Sequence, residues 1–291
     1  VAATYTVGGS VSGLAPGKSV VLQNNNGDNI TRNTNGSFSF ATPVTDGGAY
    51  AATVLTQPSG QTCVVTSGSG TVSEANVTHV AVACSPWTRQ FGTTSSDTAR
   101  AVATDASGNI FVAGDTGGDI DGAGSGTSAG GNDLFLAKYA ANGNLLWIRQ
   151  VGTTGTEFAY GVAVDSVGNA YVAGSTTDDL DGAGSGVYGG GADAFVIKYD
   201  ADGAQVWVRQ LGDAGYEEAR GVAVDGSDNV YLTGYSNGDI DGAGALTSAG
   251  GVDVFLAKYN ASGTRQWVQQ FGSGADDRSY GVAASGTNIY L

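Results

Sequence analysis

Methionine is absent from the chain of 291 residues, histidine occurs once, cysteine twice, and lysine and arginine together only 12 times. Each shortage excludes something. With 13% charged residues, the chain lacks the Leu, Glu, Lys and Arg that long helices draw on, so an all-helical bundle is excluded. No apolar run approaches the roughly 18 residues that a membrane span needs, and the opening VAATYTVGG has neither a basic region nor an apolar stretch. The missing initiator Met suggests a processed or trimmed start, compatible with an export signal already removed. The single His79, in a stretch that reads as strand, has no Ser or Cys nucleophile motif for company and is assigned a structural role.

Basic residues are also few where they matter most. Residues 1–86 carry Lys18 and Arg32 against Asp28, Asp46 and Glu74, so that −14 of the net −15 falls on residues 87–291. A field of that sign repels nucleic acid and anionic lipid and attracts cations. What the chain has in quantity is glycine, 49 residues, with Val, Ala, Thr, Ser, Asn and Asp, the residues of strands and turns.

These residues repeat. The four tryptophans Trp87, Trp147, Trp207 and Trp267 are 60 residues apart, in WTRQFG, WIRQVG, WVRQLG and WVQQFG. ARAVATDASGNIFVAG, AYGVAVDSVGNAYVAG and ARGVAVDGSDNVYLTG align without gaps, as do NDLFLAKYAANG, ADAFVIKYDADG and VDVFLAKYNASG. Each unit predicts four short antiparallel strands, RAVATD, NIFVAG, DLFLAKY and LLWIRQVG in the first copy, joined by Gly, Asn and Asp turns. A twisted sheet of four strands cannot bury both faces alone, and radial stacking of such sheets as propeller blades covers them. The small residues of the first two strands suit a crowded axis. The tryptophans fill the wedge between blades farther out, or stack a ligand if their rings are exposed.

The pattern W-x-R-Q-[FVL]-G, then [AG]-V-A-[TV]-D-x-x-[GD]-N-[IAV]-[FY]-[VL]-[AT]-G, then D-x-F-[LV]-[AI]-K-Y-x-x-x-G-x-x-x-W resembles the bacterial SBBP-type β-propeller repeat over residues 87–291. The resemblance implies an exported or surface-displayed bacterial propeller, usually set in a longer multi-domain chain, and no defined reaction. A lone fourth strand at Trp87, three blades, and a last copy ending at Leu291 make about three and a half blades, fewer than a closed propeller needs. Either the chain is a fragment of a longer polypeptide, whose final blade the Trp87 strand completes, or a partner supplies the missing strands.

Residues 1–85 lack the period and contain six or seven short alternating runs, among them TYTVGGSVSG, KSVVLQN, QTCVVTS and VTHVAVAC. They predict a small antiparallel β-sandwich, immunoglobulin-like or prealbumin-like, and resemble the modules found beside repeats in bacterial surface proteins. The fold expected is therefore all-β, a sandwich over 1–85 followed by a partial propeller over 86–291. Both cysteines, Cys63 and Cys84, fall in the first module, as a disulfide in an oxidising compartment or as two core thiols.

The long connection between second and third strands repeats its acids: Asp119, Asp121 and Asp133; Asp179, Asp181 and Asp193; Asp239, Asp241 and Asp253. Acids two apart share one side of an extended chain, and hard oxygens in a flexible glycine-rich loop suit Ca2+. The same residues also build a plain solvated turn. Ahead of the first strand stand Asp97, Glu157, Glu217 and Asp277, each followed three residues later by Arg100, Tyr160, Arg220 or Tyr280. That spacing predicts a bond closing the loop between blades, or else a ring of carboxylates at a propeller mouth. Lys138, Lys198 and Lys258 are expected to snorkel or pair with acids, and Asp105, Asp165 and Asp225 to form turns.

The expected function is non-enzymatic: an extracellular bacterial surface protein, structural or adhesive, offering its propeller as a Ca2+-stabilised scaffold to a protein or glycan partner, or to copies of itself. A subunit of a surface filament or coat is the alternative within that class, and a carbohydrate-active propeller enzyme the alternative outside it.

Overall fold

The computed structural model describes residues 2–122, 130–182, 191–212, 215–240, 251–286 and 288–291. It falls into two compact units: 1–90 with 141–144, and 91–140 with 145–291.

In the first unit, one sheet runs Gly36–Ser39, Val7–Ser12, Val77–Pro86, Gln61–Thr66 in spatial order, and a second runs Asp28–Arg32, Val20–Asn24, Ala49–Thr56, Ser69–Thr71. Strand Val77–Pro86 lies parallel to Val7–Ser12 and antiparallel to Gln61–Thr66. The period-2 alternation sends Val7, Val11, Phe38, Val80 and Val82 from the first sheet, and Val20, Leu22, Tyr50 and Ala52 from the second, into one shared core. Register places Cys63 directly opposite Cys84 on neighbouring strands, and the two are joined as a disulfide. His79 Nε2 lies 3.1 Å from the hydroxyl of Tyr50, a structural contact.

The second unit is built from repeated sheets of four antiparallel strands. The first comprises Asp97–Thr104, Ile110–Thr116, Asp133–Tyr139 and Leu145–Val151, in chain order across the sheet. The next comprises Glu157–Val164, Ala170–Thr176, Asp193–Tyr199 and Gln205–Leu211, and the third Glu217–Val224, Val230–Ser236, Asp253–Tyr259 and Arg265–Phe271. A hairpin of Ala283–Ser285 and Asn288–Tyr290 follows. First strands of successive sheets lie against one another, which makes them the inner strands of a propeller-like repeat.

Burial explains the stacking. All seven residues of Asp133–Tyr139, Ala170–Thr176 and Val230–Ser236 are buried, as middle strands must be when both faces of their sheet are covered. Residue parity decides which neighbour covers which face. From the middle sheet, Ala170, Val172, Phe195 and Ile197 join Phe111, Leu134 and Leu136 of the sheet before. Tyr171, Ala173, Ala194 and Val196 join Leu232, Phe255 and Ala257 of the sheet after.

The Cys63–Cys84 bond closes a segment with a sequence separation of 21, and loop-closure entropy for that length is worth about 3 kcal/mol. Replacing both cysteines with alanine is expected to lower the stability of the first unit by about that amount without loosening the second, read by denaturant unfolding followed separately in the two units.

Candidate functional site

The tryptophan strand fastens one sheet to the next. Trp147 Nε1 donates to the carbonyl of Ala201 at 3.3 Å, and Arg149 Nε to that of Gly203 at 2.8 Å. Trp207 and Arg209 repeat this onto Ala261 and Gly263 at 3.3 and 2.7 Å. Within the first unit, Trp87 and Arg89 do the same onto Ala141 and Gly143 at 3.1 and 2.8 Å. The glycines are required: at Gly203, φ is +90° less a few degrees, at +83°, and a Cβ would stand 2.9 Å from the Trp147 ring. Trp207 is 8% exposed, whereas Trp267 is 37% exposed. The lysines, expected to snorkel or pair with acids, lie over rings, Lys138 at 4.9 Å from Phe111, Lys198 at 5.1 Å from Tyr171 and Lys258 at 5.2 Å from Tyr231.

The repeated acids divide by role. Asp119 Oδ1 accepts from Gly122 N at 2.9 Å, and Asp179 Oδ1 from Gly182 N at 3.0 Å, both tight turns at the loop entrance. Asp121, Asp181 and Asp239 are placed beside them, and Asp241 lies outside the described residues. Asp133, Asp193 and Asp253 are buried at the start of the third strand. Asp133 and Asp193 each accept from a glutamine, Gln150 Nε2 and Gln210 Nε2, at 2.7 Å. The same glutamines hold the loop entrance by accepting from Ile120 N at 2.8 Å and Leu180 N at 3.0 Å. Burial, with the charge of Glu157 adding to it, raises the Asp133 carboxyl above its ordinary range despite the Gln150 bond. Among the described residues, no three His, Cys, Asp or Glu side chains gather as a metal site would require. Asp105, Asp165 and Asp225 form turns, each Oδ1 taking backbone N–H groups from two and four residues ahead at 2.8 to 3.1 Å.

The acid ahead of the first strand bonds back to its own loop. Thr93 N donates to Asp97 at 2.6 Å, Thr153 N to Glu157 at 2.9 Å and Ser273 N to Asp277 at 2.6 Å. At Asp97, bonds from Thr116 and Thr93 outweigh burial and hold the carboxyl below its ordinary range. The residue three places on turns elsewhere, because the inner strand bulges there. Pairing skips from Ala99 to Ala101, from Ala159 to Gly161 and from Ala219 to Gly221, so Arg100, Tyr160 and Arg220 are the extra residues that a β-bulge re-aims. The bulge needs the facing glycines. A Cβ at Gly114, Gly174 or Gly234 would lie 1.9, 1.8 or 1.7 Å from the carbonyl oxygen of Thr98, Phe158 or Glu218.

The bulged residues bound a cavity of about 380 Å³, lined by Thr98, Ala99, Arg100, Tyr160, Arg220 and Tyr280. Here the repeat stops repeating. Arg100 pairs with the buried Asp115 and lies 5.1 Å from the Phe158 ring and 5.3 Å from that of Tyr160. Arg220 lies over the same Tyr160 ring, 3.8 Å from its centroid, and pairs with Glu218. Glu218, 3% exposed, also accepts from Tyr216 and, at 2.6 Å, from Tyr235. Positions equivalent to Glu218 hold Thr98, Phe158 and Arg278, and those equivalent to Tyr235 hold Asp115 and Ser175. Burial and the Glu218 charge raise Tyr160, which stays a neutral phenol. The sequence signal for the bulge was a glycine inside each second strand.

Three stretches, 87–121, 146–181 and 206–241, match the SBBP beta-propeller repeat. The chain is similar to an uncharacterized WD repeat-containing protein of Acanthamoeba polyphaga mimivirus, 27% identical over 64% of this chain and 16% of that protein. It is also similar to the regulatory protein FlaEY of Caulobacter vibrioides, 27% identical over 65% of this chain and 21% of that protein. The chain thus spans about a fifth or less of the length of these relatives. A solved structure titled as a protein of unknown function from Bacteroides caccae aligns over 92% of this chain at 8% identity, with a TM-score of 0.30, too low to carry an argument.

Gly174 lies inside the second repeat and faces the Tyr160 bulge. Gly174→Ala is expected to destabilise the second unit by about 1–3 kcal/mol or more through overpacking, while Gly226→Ala, where a Cβ meets nothing within 4 Å, is expected to cost far less. Thermal unfolding of the two variants checks the contrast.

Proposed function

We propose that the protein is a non-enzymatic interaction scaffold, displayed outside a bacterial cell in a structural or adhesive role, whose contact surface is the cavity at the inner-strand bulges. That cavity carries the reading: the sheets repeat their packing residues faithfully and vary their charged and aromatic side chains where the bulges turn them outward. The propeller repeats support it, as do relatives whose names speak of WD repeats and of regulation rather than of a reaction. The sheet pair over 1–85 is an immunoglobulin-like or prealbumin-like sandwich in this proposal, and the Cys63–Cys84 disulfide suits an oxidising exterior.

Antibody labelling of intact expressing cells is expected to reach the protein, and the purified chain is expected to bind the surface of such cells saturably. Recovery from the cytosol alone, with no surface binding, would overturn the proposal. Ca2+ belongs to the same proposal as a stiffener of the Asp119–Asp121, Asp179–Asp181 and Asp239–Asp241 loops, where it offsets the ordering entropy of long connections. Melting is expected to shift upward with Ca2+ and back with excess chelator; coincident curves remove the ion.

A further inference from the structure

We propose that the cavity bounded by Arg100, Tyr160, Arg220 and Tyr280 binds a carboxylated sugar, of the uronic-acid class. The inference rests on the scaffold reading and names the ligand that its contact surface takes.

The first argument is the placement of charge. In a chain of net charge −15, the repeat arginines Arg89, Arg149 and Arg209 are spent on hairpin carbonyls. Arg100 and Arg220 instead line the cavity, and Arg278 lies 5.0 Å from the nearby Tyr235 ring. The carboxylate partners of Arg100 and Arg220 are more deeply buried than their guanidiniums, whereas Asp276, 3.1 Å from Arg278, is itself exposed. Side-chain exposure is 31% for Arg100 against 1% for Asp115, and 26% for Arg220 against 4% for Glu218. The acids stand behind Arg100 and Arg220 and orient them, and each guanidinium is the more exposed member of its pair. That arrangement recognises a carboxylate.

The second argument is the remainder of the lining. A lone acidic side chain of a peptide would use one guanidinium and leave the other groups idle. Arg100, Arg220, Tyr160, Tyr280 and Thr98 line one space, and even with the Tyr160 hydroxyl donating to Glu218 the lining residues carry more hydrogen-bonding groups than a single carboxylate can use. A ring bearing a carboxylate and several hydroxyls matches it. Tyr280, 64% exposed, has a ring available for the apolar face of a sugar. At about 380 Å³, the space is near the lower end of small-ligand sites, suited to one or two sugar rings.

The third argument is internal. Bulge positions in an identical repeat would present identical side chains, yet the three read Arg100, Tyr160 and Arg220, with Tyr280 at the equivalent position of the last copy. Buried Glu218 and Tyr235, with the exposed Tyr216, are bonded into a network found only in the third sheet among the described residues, where it fixes Arg220. A site with two unlike ends can orient a ligand whose carboxylate is at one end.

Calorimetric titration of the whole chain with digalacturonic acid tests this, beside its methyl ester, the neutral disaccharide and a glutamate-rich peptide. The acid is expected to bind and the ester and neutral sugar to bind about tenfold or more weakly. Arg100→Gln and Arg220→Gln are each expected to weaken binding similarly. Because Arg220 is tied into the sheet, Tyr280→Ala, an exposed position, provides a variant that keeps the fold, and the ester comparison needs no variant at all. Equal binding of acid and ester, or binding untouched by all three substitutions, overturns the proposal. Preference for the peptide overturns the sugar class while surface binding by the intact chain upholds the scaffold. Loss of both overturns both, and release of new reducing ends from the disaccharide overturns the scaffold reading alone.

Discussion

Each four-stranded sheet of the second unit has two apolar faces, and neither can be left to water. A pair of sheets covers one face of each and leaves two uncovered, so the solution propagates from sheet to sheet. The parity of side chains along Ala170–Thr176 and Asp193–Tyr199, divided between the cores on either side, is this requirement written in sequence. Apolar burial is non-directional and would tolerate sliding. The Trp and Arg bonds to the hairpin carbonyls of the following sheet remove that freedom, since each must find its own carbonyl oxygen.

Much of this architecture is legible from residue order. The 60-residue spacing of the tryptophans, the gapless alignment of strand segments and the Asn and Asp turns specify four strands per unit, and the strands of the three complete units form where those segments lie, whereas the strand expected at Trp87 does not form. The opposition of Cys63 and Cys84 depends on register across two strands joined by no tight hairpin, and only coordinates give it. Of the two expectations for Lys138, Lys198 and Lys258, snorkelling or pairing with acids, pairing gives way to a ring face, since Phe111, Tyr171 and Tyr231 sit on the adjacent strand. Reading along the chain finds Asp and Glu more readily than a ring face across a ladder.

The site was half visible. Arg100, Tyr160, Arg220 and Tyr280 stood out by spacing, but their connection to the preceding acid was inferred from sequence proximity. In the structure, the acid turns back to its own loop and the bulge turns the next group away. A bulge adds a residue without altering composition, so alternation alone does not announce it. Its trace is the second-strand glycine opposite, at Gly114, Gly174 and Gly234, where the approaching carbonyl leaves no room for a side chain.

A bulged residue is outside the hydrogen-bonded ladder and outside the inter-sheet core, while the glycine across from it bears the steric demand. The two duties are therefore held by different positions. Replacement of the outward group alters what the rim displays, and where that group is an arginine its buried acid, Asp115 or Glu218, has to change with it, so duplicated units diverge at these positions together with the partner behind them. The inner rim works as a set of exchangeable tips on a uniform handle, and the chemical character of such a protein can change one tip at a time.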